Sequence, residues 1–465
     1  MSGTATATRV ALSAYRPDRS DVRVLFELAG PVVLVQIGLM SMGAIDTVMV
    51  GRVSATDLAA VAIGNLYFFG IAVFGMGVLY ALDPVIAQAV GASDTIGVAR
   101  GVQRGVILAT LLSVAAMTLL LPAGFLLTLA RQPPEVIPVA DAYAEGLILG
   151  MLPFYGFVVL RQSLQAMTRV RPIVVTVFLA NGVNIVLNWL LIFGNLGFPR
   201  LGAVGSAWGS SLSRWFMLLM LAAAGWRELR PALIPFRREA LAPGPLRRFL
   251  RVGAPIGTQQ WLEFGVFGAA GLLMGLLGTI AVASHQVALQ LAALTFMIPV
   301  GVAQATSVVV GQAVGREDPA GARRAVGAGI ATVTGFMSFT AVMFLSVPGP
   351  LARIFSNDPT VVAAAALLLP IAGVFQVFDG LQVAAAGALR GIGDTRVPMI
   401  MNLVGFWMIG LPFCAILGFG LGFGPRGVWW GLAIGIGVVG ILLMHRIRRR
   451  FGRELRRLVI EEDHG

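Results

Sequence analysis

Along the chain, apolar stretches of about 20 residues alternate with short polar connections that carry arginine. About 20 helical residues cross a hydrocarbon core of ~30 Å, so each stretch predicts a transmembrane helix. Strands are not expected, because unpaired backbone cannot cross lipid and the alternating pattern of a barrel strand is absent. Twelve spans can be read, at 24–49, 58–81, 105–126, 137–160, 173–194, 203–224, 252–275, 281–308, 326–347, 361–387, 397–420 and 428–445. The one long polar connection, 226–251, contains Pro and Arg and divides the spans six and six. The predicted organisation is a cytoplasmic segment 1–23, an N-terminal lobe 24–225, a cytoplasmic linker 226–251, a C-terminal lobe 252–445 and a basic tail 446–465.

Composition agrees with a polytopic membrane protein. Of 465 residues, 57% are apolar and only 12% charged, about half the roughly 25% of soluble domains. A net charge of +12 does not point to nucleic acid, since all 34 basic residues are arginines clustered between spans. With the N-terminus inside, 28 fall in cytoplasmic segments and five in outer loops (Arg52, Arg131, Arg200, Arg353 and Arg426), while Arg214 lies within a span. That bias supports the span count and predicts a multi-pass protein with cytoplasmic termini. A single cysteine, Cys414, excludes an intramolecular disulfide, and the three histidines are too scattered for a zinc or haem site. Residues 1–22 lack the short apolar core of a cleaved signal, so the first span reads as retained. No nucleotide-binding loop, metal cluster or nucleophile–base pair stands out; no enzyme and no resident cofactor are expected.

The halves repeat. Ala-Gln-Ala-Val-Gly-Ala-Ser-Asp at 87–94 matches Gly-Gln-Ala-Val-Gly-Arg-Glu-Asp at 311–318, an offset of 224. At that offset Gly30-Pro31 falls on Ala254-Pro255, Gly51 on Gly275 and Arg100 on Arg324, and Arg171-Pro172 matches the Thr395–Pro398 block at 226. Six spans per half insert both copies in the same orientation, so an axis along the membrane normal relates them, an arrangement used by transporters.

These blocks resemble the multidrug and toxic compound extrusion (MATE) transporters over roughly residues 24–445. The residues that carry the likeness are Ala-Ile-Asp46-Thr-Val-Met-Val-Gly, Ala-Leu-Asp83-Pro-Val-Ile-Ala-Gln88 and Val-Asn184-Ile-Val-Leu-Asn188-Trp, then Leu-Glu263-Phe-Gly, Ala-Ser-His285-Gln, Phe-Asp379-Gly and Leu-Arg390-Gly-Ile-Gly-Asp-Thr. The resemblance implies an all-α protein whose twelve helices form two six-helix lobes, V-shaped around a central cavity. It further implies a monomer that exports amphipathic organic cations, including drugs, in exchange for inward H+ or Na+ by alternating access. A flippase for a lipid-linked precursor, from the same wider superfamily, is the alternative; it calls for a cationic cavity, and only Arg214 lies inside a span.

A carboxylate at the bilayer centre costs about 2.5–3.5 kcal/mol on insertion scales, so each one should face a cavity, a partner or an ion. Glu263 and Asp379, mid-span and flanked by apolar residues, read as the C-lobe ion or proton site, in line with acids of NorM-like members; a structural hydrogen bond is the other reading. In the N-lobe, Asn181, Asn184 and Asn188 share one face of span five, and Ser206, Ser210 and Ser213 repeat along span six. Members with an N-lobe cation site place ligands at positions matching Asp46, Asn184, Asn188, Ser206 and the Gly202 carbonyl. Na+ is thus expected at Asp46, Asn184, Asn188 and Ser206, but Asn188 stands where an aspartate is common, which weakens a cation site. Interhelical hydrogen bonding is the alternative for the asparagines, and the expected role of Ser210 and Ser213. Asp83 suits a gate or helix-end solvation equally, His285 suits packing better than proton relay, and Asp141 and Glu145 are expected near the outer mouth. Arg214 either pairs with a carboxylate or snorkels.

Overall fold

The computed structural model describes residues 12–460, and every regular element among them is helical. Each expected span corresponds to one helix or helix pair. We label them α1 (Arg19–Val50), α2 (Ala55–Leu79, continued after a break as Leu82–Gly91), α3 (Thr95–Leu120), α4 (Ile137–Ile148 and Met151–Ala166), α5 (Arg171–Leu191) and α6 (Gly202–Ala224). The second half supplies α7 (Pro243–Leu276), α8 (Thr279–Gly315), α9 (Pro319–Ser346), α10 (Pro359–Gly391), α11 (Arg396–Gly420) and α12 (Gly424–Phe451). Within α11, Leu403–Gly410 and Ile416–Gly420 are π-helical.

Among the described residues nine helices are individually long and apolar enough to cross a membrane, and α4, bent by 48° at its break, makes a tenth. The remaining two, α6 and α7, fall short for a chemical reason. α6 carries Ser206, Ser210, Ser211, Ser213 and Arg214, and α7 carries three arginines with Gln259, Gln260 and Glu263. Both of these spans hold candidate site residues, Ser206 on α6 and Glu263 on α7. Elsewhere the outward faces are oily: Leu111, Val114 and Leu119 on α3 and Phe339, Val342 and Leu345 on α9 are more than half exposed. A water-soluble surface does not carry apolar stripes of this extent.

The repeat in sequence is a repeat in backbone. α2 and α8 both end in Gln-Ala-Val-Gly, and two residues further on the chain enters the left-handed region, at Ser93 (φ 57°) in one copy and Glu317 (φ 58°) in the other. The next residue, Asp94 or Asp318, returns its N–H to a carbonyl five residues back, Ala89 or Ala313, at 2.9 Å. Its carboxylate then caps the following helix, accepting from Gly97 N (2.7 Å) or Gly321 N (2.8 Å), as N-cap aspartates do. One local sequence therefore stops one helix and starts the next twice over.

Two compact units emerge. One comprises the described residues through Val33 together with Thr258–Val459; the other contains Leu34–Gly257. In the first, α12 presents Gly427, Gly431 and Gly435 at four-residue spacing to Leu417, Cys414 and Gly410 of α11, so close that a Cβ would fall within 3 Å of backbone. Small residues allow such approach where no hydrophobic force draws helices together in lipid. In the second, the stretch 226–257 packs with the N-terminal helices. It holds a short helix, Trp226–Leu233, and the start of α7. The Gln103 amide donates to the Ala232 (3.0 Å) and Pro235 (3.0 Å) carbonyls and accepts from Arg237 N (2.9 Å), tying this stretch to α3.

Candidate functional site

Asp46 lies in the last turn of α1 and is 5% exposed. Two other helices of its unit meet it. From α5, Asn188 Nδ2 donates to Asp46 Oδ1 (2.5 Å) and also to Asn184 Oδ1 one turn back (3.3 Å). From α6, Ser210 Oγ donates to Asp46 Oδ2 (2.7 Å). α6 approaches α5 here because its residue 209 is glycine; a Cβ at Gly209 would sit 2.5 Å from Asn188 Oδ1. Both carboxylate oxygens thus accept from neutral donors, and the charge of Asp46 is solvated without being neutralised.

Of the residues expected here, the structure brings Asp46, Asn184 and Asn188 together. The hydroxyl that reaches the carboxylate belongs to Ser210. Ser206 is one turn back on α6, fully buried, with no hydrogen-bond partner for its Oγ. Gly202 opens α6 at φ +57°, beside Asp57, whose Oδ1 accepts from Ala203 N (2.8 Å). Ser213 donates to the Gly209 carbonyl (2.7 Å), and Asn181 to the carbonyls of Gly38 (2.9 Å) and Val177 (2.8 Å). Asn188 Oδ1 and Ser206 Oγ are buried oxygens with no hydrogen-bond partner. Together with the carboxylate they are the hard donors that a cation such as Na+ takes.

Arg214 follows Ser210 by one turn of α6. A guanidinium within a span costs about as much as a carboxylate, and here it is held by π faces. Its Cζ lies 4.2 Å from the ring centroid of Phe68 and 5.4 Å from that of Phe154, and those two rings meet edge to face at 5.9 Å. Its Nη1 is buried without a hydrogen-bond partner, against Gly150 in the break of α4. Neighbouring α6 residues seal the same break: Ser211 Oγ donates to the Gly146 carbonyl (2.6 Å) and Trp215 Nε1 to that of Leu149 (3.1 Å). Asp46 and Tyr143 lie within range of the arginine's charge.

The other unit holds the second acidic centre. Glu263 Oε1 accepts from Gln259 Nε2 (3.1 Å), Gln382 Nε2 (2.8 Å) and Asn402 Nδ2 (2.9 Å), so α7, α10 and α11 converge on one oxygen. Asp379, 8% exposed, precedes Gln382 by one turn on α10 and is close enough to Glu263 for their charges to repel. The expected pair is therefore together, in a cradle of amides that the sequence reading missed. Glutamine or asparagine in an apolar span is the signal that finds them, Gln259 above all, one turn from Glu263.

Asp83 is fully buried at the break of α2, where its Oδ1 accepts from Gln162 Nε2 (2.9 Å) and it occupies the first turn of Leu82–Gly91. His285 packs edge to face on Trp429 (5.6 Å), with Nδ1 buried and unpartnered. Asp141 accepts from Gly124 N (2.7 Å), capping the short helix Ala123–Leu129, and Glu145 is exposed. Neither of the last two joins an acidic centre. No group of three or more metal-ligating His, Cys, Asp or Glu occurs among the described residues.

Comparison with known proteins places this geometry in a family. The MatE family model matches the chain twice, over residues 31–190 and 255–416. The two matches start 224 residues apart and end 226 apart, the offsets of the internal repeat. The chain is 38% identical over 447 residues to the probable multidrug resistance protein NorM of Mesorhizobium japonicum, covering 93% of this chain and 94% of that one. It is 37% identical over 461 residues to the multidrug resistance protein PmpM of Pseudomonas aeruginosa, covering 96% and 95%. Among solved structures, the eukaryotic MATE transporter AtDTX14 superposes with a TM-score of 0.87 at 23% identity, over 94% of this chain and 98% of that one. An outward-facing multidrug resistance MATE transporter gives 0.84 at 22% identity, over 94% and 97%. The twelve helices, the doubled match and the relatives above 30% identity agree: this chain belongs to the MatE family of multidrug and toxic compound extrusion transporters, and is a multi-pass membrane transporter, not an enzyme.

Proposed function

We propose that the protein exports amphipathic organic cations from a bacterial cytoplasm in exchange for inward H+ or Na+, by alternating access across the inner membrane. Asp46 and the Glu263–Asp379 pair are the coupling acids in this reading. Asn184, Asn188, Ser206 and Gly202 complete the N-lobe set, and Asp83 and His285 are auxiliary. The lobes run 24–225 and 252–445 around the linker 226–251, the termini are cytoplasmic, and the protein works as a monomer. The observation that carries the reading is the chemistry of the two acidic centres. Each is buried, and the described hydrogen-bond donors to Asp46 and Glu263 are amides and a hydroxyl, with Arg214 and Arg390 within electrostatic range of them. A carboxylate whose hydrogen bonds come from neutral donors keeps charge to offer, so these centres can take a cation and give it up. The names of the relatives, multidrug resistance proteins, support the substrate class. The binding must differ between the two access states, since an ion that binds both equally shifts nothing.

The test is ethidium efflux from proteoliposomes under an imposed H+ or Na+ gradient. Efflux driven by one ion, and abolished by Asp46→Asn or by Glu263→Gln/Asp379→Asn, is the expected result. Folded protein that exports nothing under either gradient refutes the exchange reading.

A further inference from the structure

The exchange reading leaves one charged group beside Asp46 without a task. Arg214 is the single arginine inside an expected span, and its α6 position is one turn from Ser210, which donates to Asp46. Yet among the described residues it makes no contact ion pair. The guanidinium lies over Phe68 and beside Phe154, with Nη1 against Gly150. The break of α4 provides for it in two ways. Gly150 has no side chain, and a Cβ there would stand 3.1 Å from Nη1. The half-helix Ile137–Ile148 also ends at this point, and the carbonyl end of a helix carries partial negative charge. The cation is thus retained by neutral groups that leave its charge uncancelled, and the carboxylate of Asp46 is within its field.

The internal repeat adds an independent observation. At offsets of 224 and 226, the counterparts of Asp46 and Arg214 are Ala270 and Gly440. The acid and the arginine are present together in one half and absent together from the other.

We propose that Arg214 is a tethered counter-cation of Asp46 and sets the ion specificity of that centre against Na+. The proposal rests on Asp46 being a coupling acid. A Na+ ion arriving at Asp46, Asn184 and Asn188 meets a fixed positive charge in a medium where charges several ångströms apart still interact strongly. Asn188 acts in the same direction, since a neutral amide there adds no second negative charge. A resident arginine also offsets part of the buried carboxylate's charge through space.

The experiment follows thermal unfolding of the purified protein in NaCl against choline chloride at constant ionic strength. Wild type is expected to show no Na+ stabilisation that depends on Asp46. Arg214→Gln is expected to gain one, with Na+ affinity rising about tenfold or more, and to lose it again in Arg214→Gln/Asp46→Asn. Arg214→Lys retains the charge and should behave as wild type. A wild-type Na+ stabilisation that vanishes in Asp46→Asn overturns the proposal even where no Arg214 variant folds. So does a folded Arg214→Gln with the wild-type response, or an Arg214→Lys that responds as Arg214→Gln does. Binding is the readout, so failure of gradient-driven efflux would strike the exchange reading and leave this result standing.

Discussion

Gly209→Ala adds one methyl group and removes no polar atom, yet it should damage the Asp46 centre. The new Cβ would stand 2.5 Å from Asn188 Oδ1, whereas ordinary contact begins at 3.4 Å. The amide must therefore give by about 0.9 Å. The same amide holds Asp46 Oδ1 through its Nδ2 at 2.5 Å, and a displacement of that size can stretch the bond to about 3.4 Å, where most of its strength is lost. A hydrogen bond to a charged group contributes about 1.5–3 kcal/mol. Alanine in place of glycine inside a helix returns up to ~1 kcal/mol. The variant should thus lose about 0.5–2 kcal/mol of stability, while its gradient-driven ethidium efflux falls by about tenfold or more, at 1.4 kcal/mol per factor of ten. The control is Gly182→Ala on α5, where a Cβ meets nothing within 4 Å; it should gain stability and transport normally. The assay is thermal unfolding in detergent paired with efflux from proteoliposomes for both variants. If Gly209→Ala unfolds no earlier than Gly182→Ala and effluxes at the wild-type rate, the account of how α6 and α5 share the carboxylate is wrong.

Further outcomes follow from the same geometry. Gly150→Val should lower the unfolding temperature through overpacking worth about 1–3 kcal/mol, because a Cβ there meets Ser211 Oγ at 2.6 Å and Arg214 Nη1 at 3.1 Å; an unchanged melting curve would count against the arginine's placement. Gln382→Leu removes the 2.8 Å donor to Glu263 and should weaken efflux about tenfold or more, a loss absent if the amide cradle has no part in coupling. Asp394→Asn releases Arg446 (2.8 Å) and Arg450 (3.4 Å), an ion cluster whose carboxylate is 8% exposed, and should cost about 1–2 kcal/mol, between the exposed and buried limits. On the acid side, Asp358 accepts hydrogen bonds from the Thr360 hydroxyl and backbone N–H, which hold its carboxyl below the usual value of 3.8. A folded-state value that is depressed means stabilisation present above the unfolded value and lost as pH falls through the folded one. The protection of the Thr360 amide relative to its intrinsic exchange rate should therefore fall in acid, and Asp358→Ala should abolish that dependence.

Much of this molecule was legible before any coordinates. The spans follow from apolar run length, since lipid admits few alternatives to a helix of about 20 residues. Asp46, Asn184, Asn188, Glu263 and Asp379 were found because a polar side chain in an apolar span demands a reason. Other residues were harder to read. Ser206, Ser210 and Ser213 lie on one helical face, where the resemblance favours Ser206 and leaves Ser210 a structural role; Ser210 is the one that reaches Asp46. Gln382 and Asn402 sit 119 and 139 residues from the glutamate they hold, a separation at which no local pattern announces a contact. Arg214 stood alone in the sequence because its partners are rings and a helix end, which carry no charge to match.

By itself the sequence determined the number and course of the helices, their duplication at offsets of 224 to 226, the arginine asymmetry and the stock of buried acids. Those properties depend on composition and on spacing along one helix, both of which can be read from the chain. The tertiary structure decided which donors meet each acid, that α4 breaks at Gly150 to admit a guanidinium, and that a glycine at 209 lets two helices share one carboxylate. Those depend on how each helix is rotated, where it bends and how closely it crosses its neighbour. Packing between distant segments sets them, and no single segment encodes them.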